Sequence, residues 1–184
     1  RAIRVLPWLW ELPPTHARFY PVYSECCELG IPFCTQVGHT GPLMPSEVGR
    51  PIPYIDQVAI DFPDLVIVCG HIGYPWTEEM ISVAWKHKNV WIGSDAHAPK
   101  YWDPSFVRFI NSRGQDKVLF GTDWPVIDFE RSVMEIDALD VDKPSDAYYA
   151  TWQQGWDLYG TGVGTPFNWS GNSLLVGSDS AGNE

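Results

Sequence analysis

His39 sits between Gly38 and Gly41 in Thr35-Gln36-Val37-Gly38-His39-Thr40-Gly41, directly after the apolar run Ile31-Pro32-Phe33-Cys34. The arrangement recurs at Val66-Ile67-Val68-Cys69-Gly70-His71-Ile72-Gly73, and an acidic version follows Val118-Leu119-Phe120 as Gly121-Thr122-Asp123. Imidazole nitrogen and carboxylate oxygen are ligands for zinc, and equally for manganese or iron. A catalytic metal leaves one position open for water and lowers its pKa. The neighbouring Gly38, Gly41, Gly70, Gly73 and Gly121 are expected to let the backbone turn sharply and to leave room beside a metal. Taken singly, each residue has an ordinary structural role. His39 and His71 suit hydrogen-bonded loop histidines, and Asp123 suits a turn or a helix cap. Three such residues at three strand ends favour a metal site.

The elements that would position them alternate in type. Residues 2 to 6 read as a short strand, and Pro7, Pro13 and Pro14 break regular structure after it. Thr15 to Leu29 reads as a helix with Pro21 near its regular start and Gly30 as its C-terminal cap. Strand 31 to 38 follows, then a loop rich in proline and glycine, a helix over 53 to 62, and the apolar run Leu65-Val66-Ile67-Val68-Cys69. A run apolar throughout is expected of a strand covered on both faces. Residues 77 to 87 read as a helix with Thr77 as N-cap, Val90 to Ile92 as a strand ending near Ser94 and Asp95, Pro104 to Ser112 as a helix, and 117 to 120 as a strand. Further helices are expected over 129 to 139 and 150 to 160. Strand ends at 39, 71, about 94 and 123 are spaced as repeated β-loop-α units require, which predicts an α/β fold with a parallel sheet, open or closed into a barrel. Strand C-termini open on one face of a barrel, where active sites lie. Residues 1–160 form the expected globular part; 161–184, rich in Gly, Ser, Asn and Thr, read as a flexible or atypical tail.

Composition narrows the partners. The 184 residues carry a formal net charge of −11, which disfavours nucleic acid and anionic membrane surfaces. No stretch reaches the apolar length of a membrane helix. The four cysteines form no C-x-x-C pair, which disfavours a zinc ribbon or a thioredoxin-type site, and Cys34 and Cys69 sit in apolar runs as small hydrophobes, so a reduced, cytoplasmic protein is expected. The chain opens in what reads as a strand, with no leader, so an upstream part is expected to be missing. Among the remaining histidines, His16 precedes a helix, His87 ends one, and His97 follows the Asp95 strand end, where a site role and a loop role stand equal. Tyr74, Trp76, Tyr101 and Trp124 are candidates to line a pocket for a planar substrate, and Arg50 to hold an anionic one, against packing and solvated-loop roles.

The segments Glu28-Leu29-Gly30-Ile31-Pro32-Phe33-Cys34-Thr35-Gln36-Val37-Gly38-His39-Thr40-Gly41-Pro42, Phe62-Pro63-Asp64-Leu65-Val66-Ile67-Val68-Cys69-Gly70-His71-Ile72-Gly73-Tyr74-Pro75-Trp76 and Lys117-Val118-Leu119-Phe120-Gly121-Thr122-Asp123-Trp124-Pro125 resemble the amidohydrolase-related family of metal-dependent hydrolases and decarboxylases. The likeness is to the branch that includes aminocarboxymuconate-semialdehyde decarboxylase. The resemblance covers residues 1 to 125, and more weakly to 160. It implies a (β/α)8 TIM-barrel fold, here about its last five βα units, and a divalent metal, zinc or manganese. It implies His39 as the fifth-strand ligand, His71 as the sixth-strand acid/base or orienting residue near the metal, and Asp123 as the eighth-strand ligand able to shuttle a proton. The family's His-x-His or Glu-x-His pair on the first strand has no counterpart in these residues. A small-molecule substrate and a homodimer are further implications.

Three functions remain open. The first is a metal-dependent hydrolase of a small carboxylated or carbonyl substrate. The second is a non-oxidative decarboxylase of an aromatic or unsaturated acid. The third is an inert fragment or interaction module, which the missing first-strand pair favours.

Overall fold

The structure, a computed structural model, describes residues 2–139. The expected helix over 150–160, the boundary at 160 and the tail lie outside the described residues. The strands β1 (Ile3–Val5), β2 (Phe33–Gln36), β3 (Ile67–Gly70), β4 (Val90–Gly93) and β5 (Val118–Leu119) follow one another in sequence order in one sheet. The chain divides into two units, Ala2–Ile92 and Gly93 onward, at the end of β4.

In the first unit β1, β2 and β3 pair in parallel with Arg4 opposite Cys34 and Cys34 opposite Val68, and β3 pairs in parallel with β4 from Ile67 opposite Val90. Helix α2 (Tyr20–Leu29) covers one face. Its Tyr23 is fully buried and meets the Phe33 ring edge-on at 4.7 Å. Burying side chains of this size contributes about 1.5–3 kcal/mol each. The helix is shorter than the sequence predicts: residues 15–19 are turns, with His16 N–H bonded to Pro13 O. Pro21, in the first turn, has no N–H, and its ring would clash with a helical carbonyl four residues back. Gly30 ends the helix in the left-handed conformation, φ 62°, as expected.

Four other expectations are corrected. Pro7 does not break structure but opens a one-turn helix α1 (Pro7–Trp10), where its fixed φ is pre-organised. The helix expected over 53–62 is a loosely wound segment Pro51–Ile55 followed by α3 (Asp56–Asp61), because Ile52 keeps an extended conformation between two prolines. Thr77 is not the N-cap of α4 (Thr77–Lys86). Trp76 N–H bonds Gly73 O and Met80 N–H bonds Trp76 O, so the winding begins at Trp76 and Thr77 lies buried in the first turn. Leu65, read as strand, precedes β3, and the Asn89 amide holds that entry by donating to Phe62 O and Leu65 O, both at 3.0 Å.

Asp56 Oδ1 lies 2.7 Å from both Lys86 Nζ and His87 Nε2, tying α3 to the end of α4. Burial alone would raise its carboxyl pKa, but the hydrogen bonds and charges of Lys86 and His87 outweigh that and hold it below the ordinary 3.8. A carboxyl depressed in the folded state adds stability above its unfolded pKa, and that stability disappears as pH falls through the folded value. The stability difference between wild type and Asp56→Asn, read from urea midpoints, should therefore shrink between about pH 5 and about pH 2. A pH-independent difference would disprove the linkage.

In the second unit, Ser94 N–H bonds Leu119 O at 2.9 Å beside β5. Helix α5 (Pro104–Ile110) is capped by Asp103, whose carboxylate accepts Ser105 N–H at 2.7 Å. Helix α6 (Phe129–Asp137) is capped in the same way by Asp128. Trp102, Phe106, Phe109, Ile110, Leu119, Ile127 and Ile136 are buried. No helix among the described residues is long and apolar enough to cross a membrane.

Candidate metal centre

The loops after β2 and β3 are joined by their backbones. Gly38 N–H bonds Gly49 O at 2.8 Å, and His39 N–H bonds Tyr74 O at 2.8 Å. Gly38 has φ 103°, and a Cβ there would stand 2.5 Å from Tyr74 O. The space spared by this glycine is therefore filled by a neighbouring backbone, not left beside a metal as the sequence suggested. A Cβ at Gly73 would strike the Met80 side chain at 2.6 Å, so that glycine seats helix α4.

His39 is exposed, three residues past β2. Its Nδ1 lies 3.4 Å from Tyr74 O. A carbonyl can only accept, so the contact favours the tautomer with hydrogen on Nδ1. His71 directly follows β3, half-buried and left-handed at φ 72°, with Ile72 at φ 47°. Tyr74 and Trp124 are exposed. Arg50 is engaged by Glu79 in a two-pronged ion pair, Nη2 to Oε1 at 2.5 Å and Nε to Oε2 at 3.0 Å, and lies 5.9 Å over the Trp76 ring.

In the second unit two aspartates approach each other. Asp95, 1% exposed, follows β4, and half-buried Asp123 follows β5. Each presents a carboxylate oxygen within 4.8 Å of the other's. Ser94 Oγ accepts Gly121 N–H at 3.2 Å, which fixes the approach to Asp123. Asp123 is left-handed at φ 61° and starts a turn closed by Val126 N–H on its carbonyl. Ala96, beside Asp95, is left-handed at φ 67°. Non-glycine residues in this conformation cost on the order of 1 kcal/mol and concentrate at functional sites. Two carboxylates this close repel when both are ionised, and a divalent cation shared between them relieves that repulsion. The donors of this pair are carboxylate oxygens, which zinc, manganese and iron all accept. Sequence reading noted Asp95 as a strand end without naming it as a ligand. Its signal was the same as that of Asp123: a carboxylate directly past an apolar strand.

The other histidines have structural partners. His87 meets Asp56, His16 Nδ1 accepts Arg18 N–H at 3.2 Å, and the His97 carbonyl accepts the Trp102 indole N–H at 2.8 Å. The free cysteines Cys26, Cys34 and Cys69 are buried. Burial pushes the Cys26 thiol up to about 11 and the Cys69 thiol higher still, so neither is a thiolate near neutral pH.

The amidohydrolase family profile matches residues 1–149, and the chain belongs to that family. An uncharacterised TIM-barrel protein from Bordetella bronchiseptica is similar at 28% identity and TM-score 0.69, over 83% of this chain and 54% of that one. A 5-carboxyvanillate decarboxylase from Sphingomonas paucimobilis is similar in fold at 15% identity and TM-score 0.57, over 84% and 56%. A 4-oxalomesaconate hydratase from Rhodopseudomonas palustris is likewise similar at 18% and 0.53, over 84% and 53%. No curated protein matches. The chain therefore has the α/β architecture of a TIM-type barrel and spans about half the length of these solved relatives.

Proposed function

We propose that the protein is a zinc- or manganese-dependent hydrolase of a small carboxylated or carbonyl substrate, working in the cytoplasm as a homodimer. The donors assigned are His39 and Asp123, with Asp95 added to them, and His71 stands near the metal as the acid/base or orienting residue. The observation that carries this reading is the close pair formed by Asp95 and Asp123, in a chain of the amidohydrolase family. A divalent cation, when bound, supplies Lewis-acid polarisation and lowers the pKa of water. Asp123, directly past its strand, takes the proton of the attacking water. His71 donates a hydrogen bond to the oxygen on which charge develops, where a preorganised donor has the largest effect on rate. Tyr74, Trp76 and Trp124 offer aromatic surface to a planar substrate. Arg50, already paired with Glu79, would reach an anionic substrate only by exchanging that partner.

The test is metal analysis joined to a substrate panel. The protein should hold zinc or manganese stoichiometrically, lose it on His39→Ala, and open esters or lactones without releasing carbon dioxide. Carbon dioxide release from hydroxybenzoates would assign a decarboxylase instead. No metal under any condition would leave an inert fragment.

A further inference from the structure

Gln36 is the last residue of β2, 6% exposed, and has no role assigned to it within the motif that leads to His39. Phe33 faces helix α2 through Tyr23, so strand alternation places Cys34 and Gln36 on the opposite face. There both ends of the Gln36 amide are used. The Trp8 indole N–H of α1 donates to Gln36 Oε1 at 3.1 Å, and Gln36 Nε2 donates to the His39 carbonyl at 3.3 Å. The indole can only donate and the carbonyl can only accept, so the amide fits in one orientation alone. Helix α1 also packs near the turn Glu47–Gly49, whose last carbonyl receives Gly38 N–H.

We propose that Gln36 is a positioning residue, which fastens the His39 backbone to α1 so that this short helix sets the aim of the imidazole. The functional meaning rests on the reading of His39 as a metal ligand. The bridge itself is testable without metal.

The experiment measures amide hydrogen exchange at His39 in the metal-free 184-residue chain, with Ile67 N–H, bonded to Asn89 O, as a core reference. Gln36→Met keeps the volume and removes both bonds; Trp8→Phe removes one. Gln36→Met should speed exchange at His39 about fivefold relative to Ile67, the loss expected for one net hydrogen bond. Adding Trp8→Phe to Gln36→Met should change little further, because the two act through one bridge. Equal change at His39 and Ile67, or none at either, overturns the inference, since a purely structural role would move both together. Zinc titration of the same variants separates this inference from the metal reading. If Gln36→Met weakens zinc about fivefold and His39→Ala far more, both stand. If exchange changes selectively but no variant or wild type binds zinc, the bridge stands and the metal reading falls. If zinc binds normally to Gln36→Met and exchange is unchanged, the bridge falls and the metal reading stands.

Discussion

Asp95→Asn is expected to weaken the protein's hold on a divalent cation about 100-fold, roughly 3 kcal/mol. The effect follows from the geometry of the pair. Two carboxylates with oxygens within 4.8 Å repel by about 3.5 kcal/mol when both are charged, at an effective dielectric near 20, and a cation shared between them removes that repulsion. Asparagine has the same shape and no charge, so the cation loses a buried anionic donor that water cannot replace at a residue only 1% exposed. Asp123→Asn should act in the same direction on the metal. Calorimetric zinc titration measures the affinity, and thermal melts with a chelator show that each variant is folded. Wild-type affinity in both folded variants would show that the pair does not hold the cation.

Gly38→Ala should destabilise the fold on the order of 3 kcal/mol or more. At φ 103° an L side chain is strained before any contact is counted. Its Cβ would also lie 2.5 Å from Tyr74 O, the atom that accepts His39 N–H. Relieving the clash separates the two loops and breaks that bond, and the adjacent bond from Gly38 N–H to Gly49 O goes with it. Gly41→Ala is the control: no heavy atom lies within 4 Å of its added Cβ, and the change expected is within about 0.5 kcal/mol. Urea midpoints for the two variants decide. Equal midpoints would mean that the loop moves aside without loss.

The order of elements was legible because apolar runs, helical spacing and glycine caps all act locally. The strand ends at His39, His71 and Asp123 were marked by the same signals. What escaped was set by contacts distant along the chain. The start of α2 yielded to Pro21, and the entry to β3 depends on an amide at Asn89, more than twenty residues away. Asp95 resembled a loop aspartate until Asp123 stood beside it. Gln36 gave no sign, since a glutamine at a strand end has no pattern until the indole and the carbonyl that it joins are both in view.

The left-handed residues His71, Ala96 and Asp123 each stand within four positions of the end of a strand. Chain direction is thus fixed at the root of each loop, ahead of its outer segment. Exchange of the outer loops between relatives of different substrate preference should then be tolerated, provided that the grafts begin beyond these three positions. A chimera cut inside them would redirect the whole segment and lose its register on the strand.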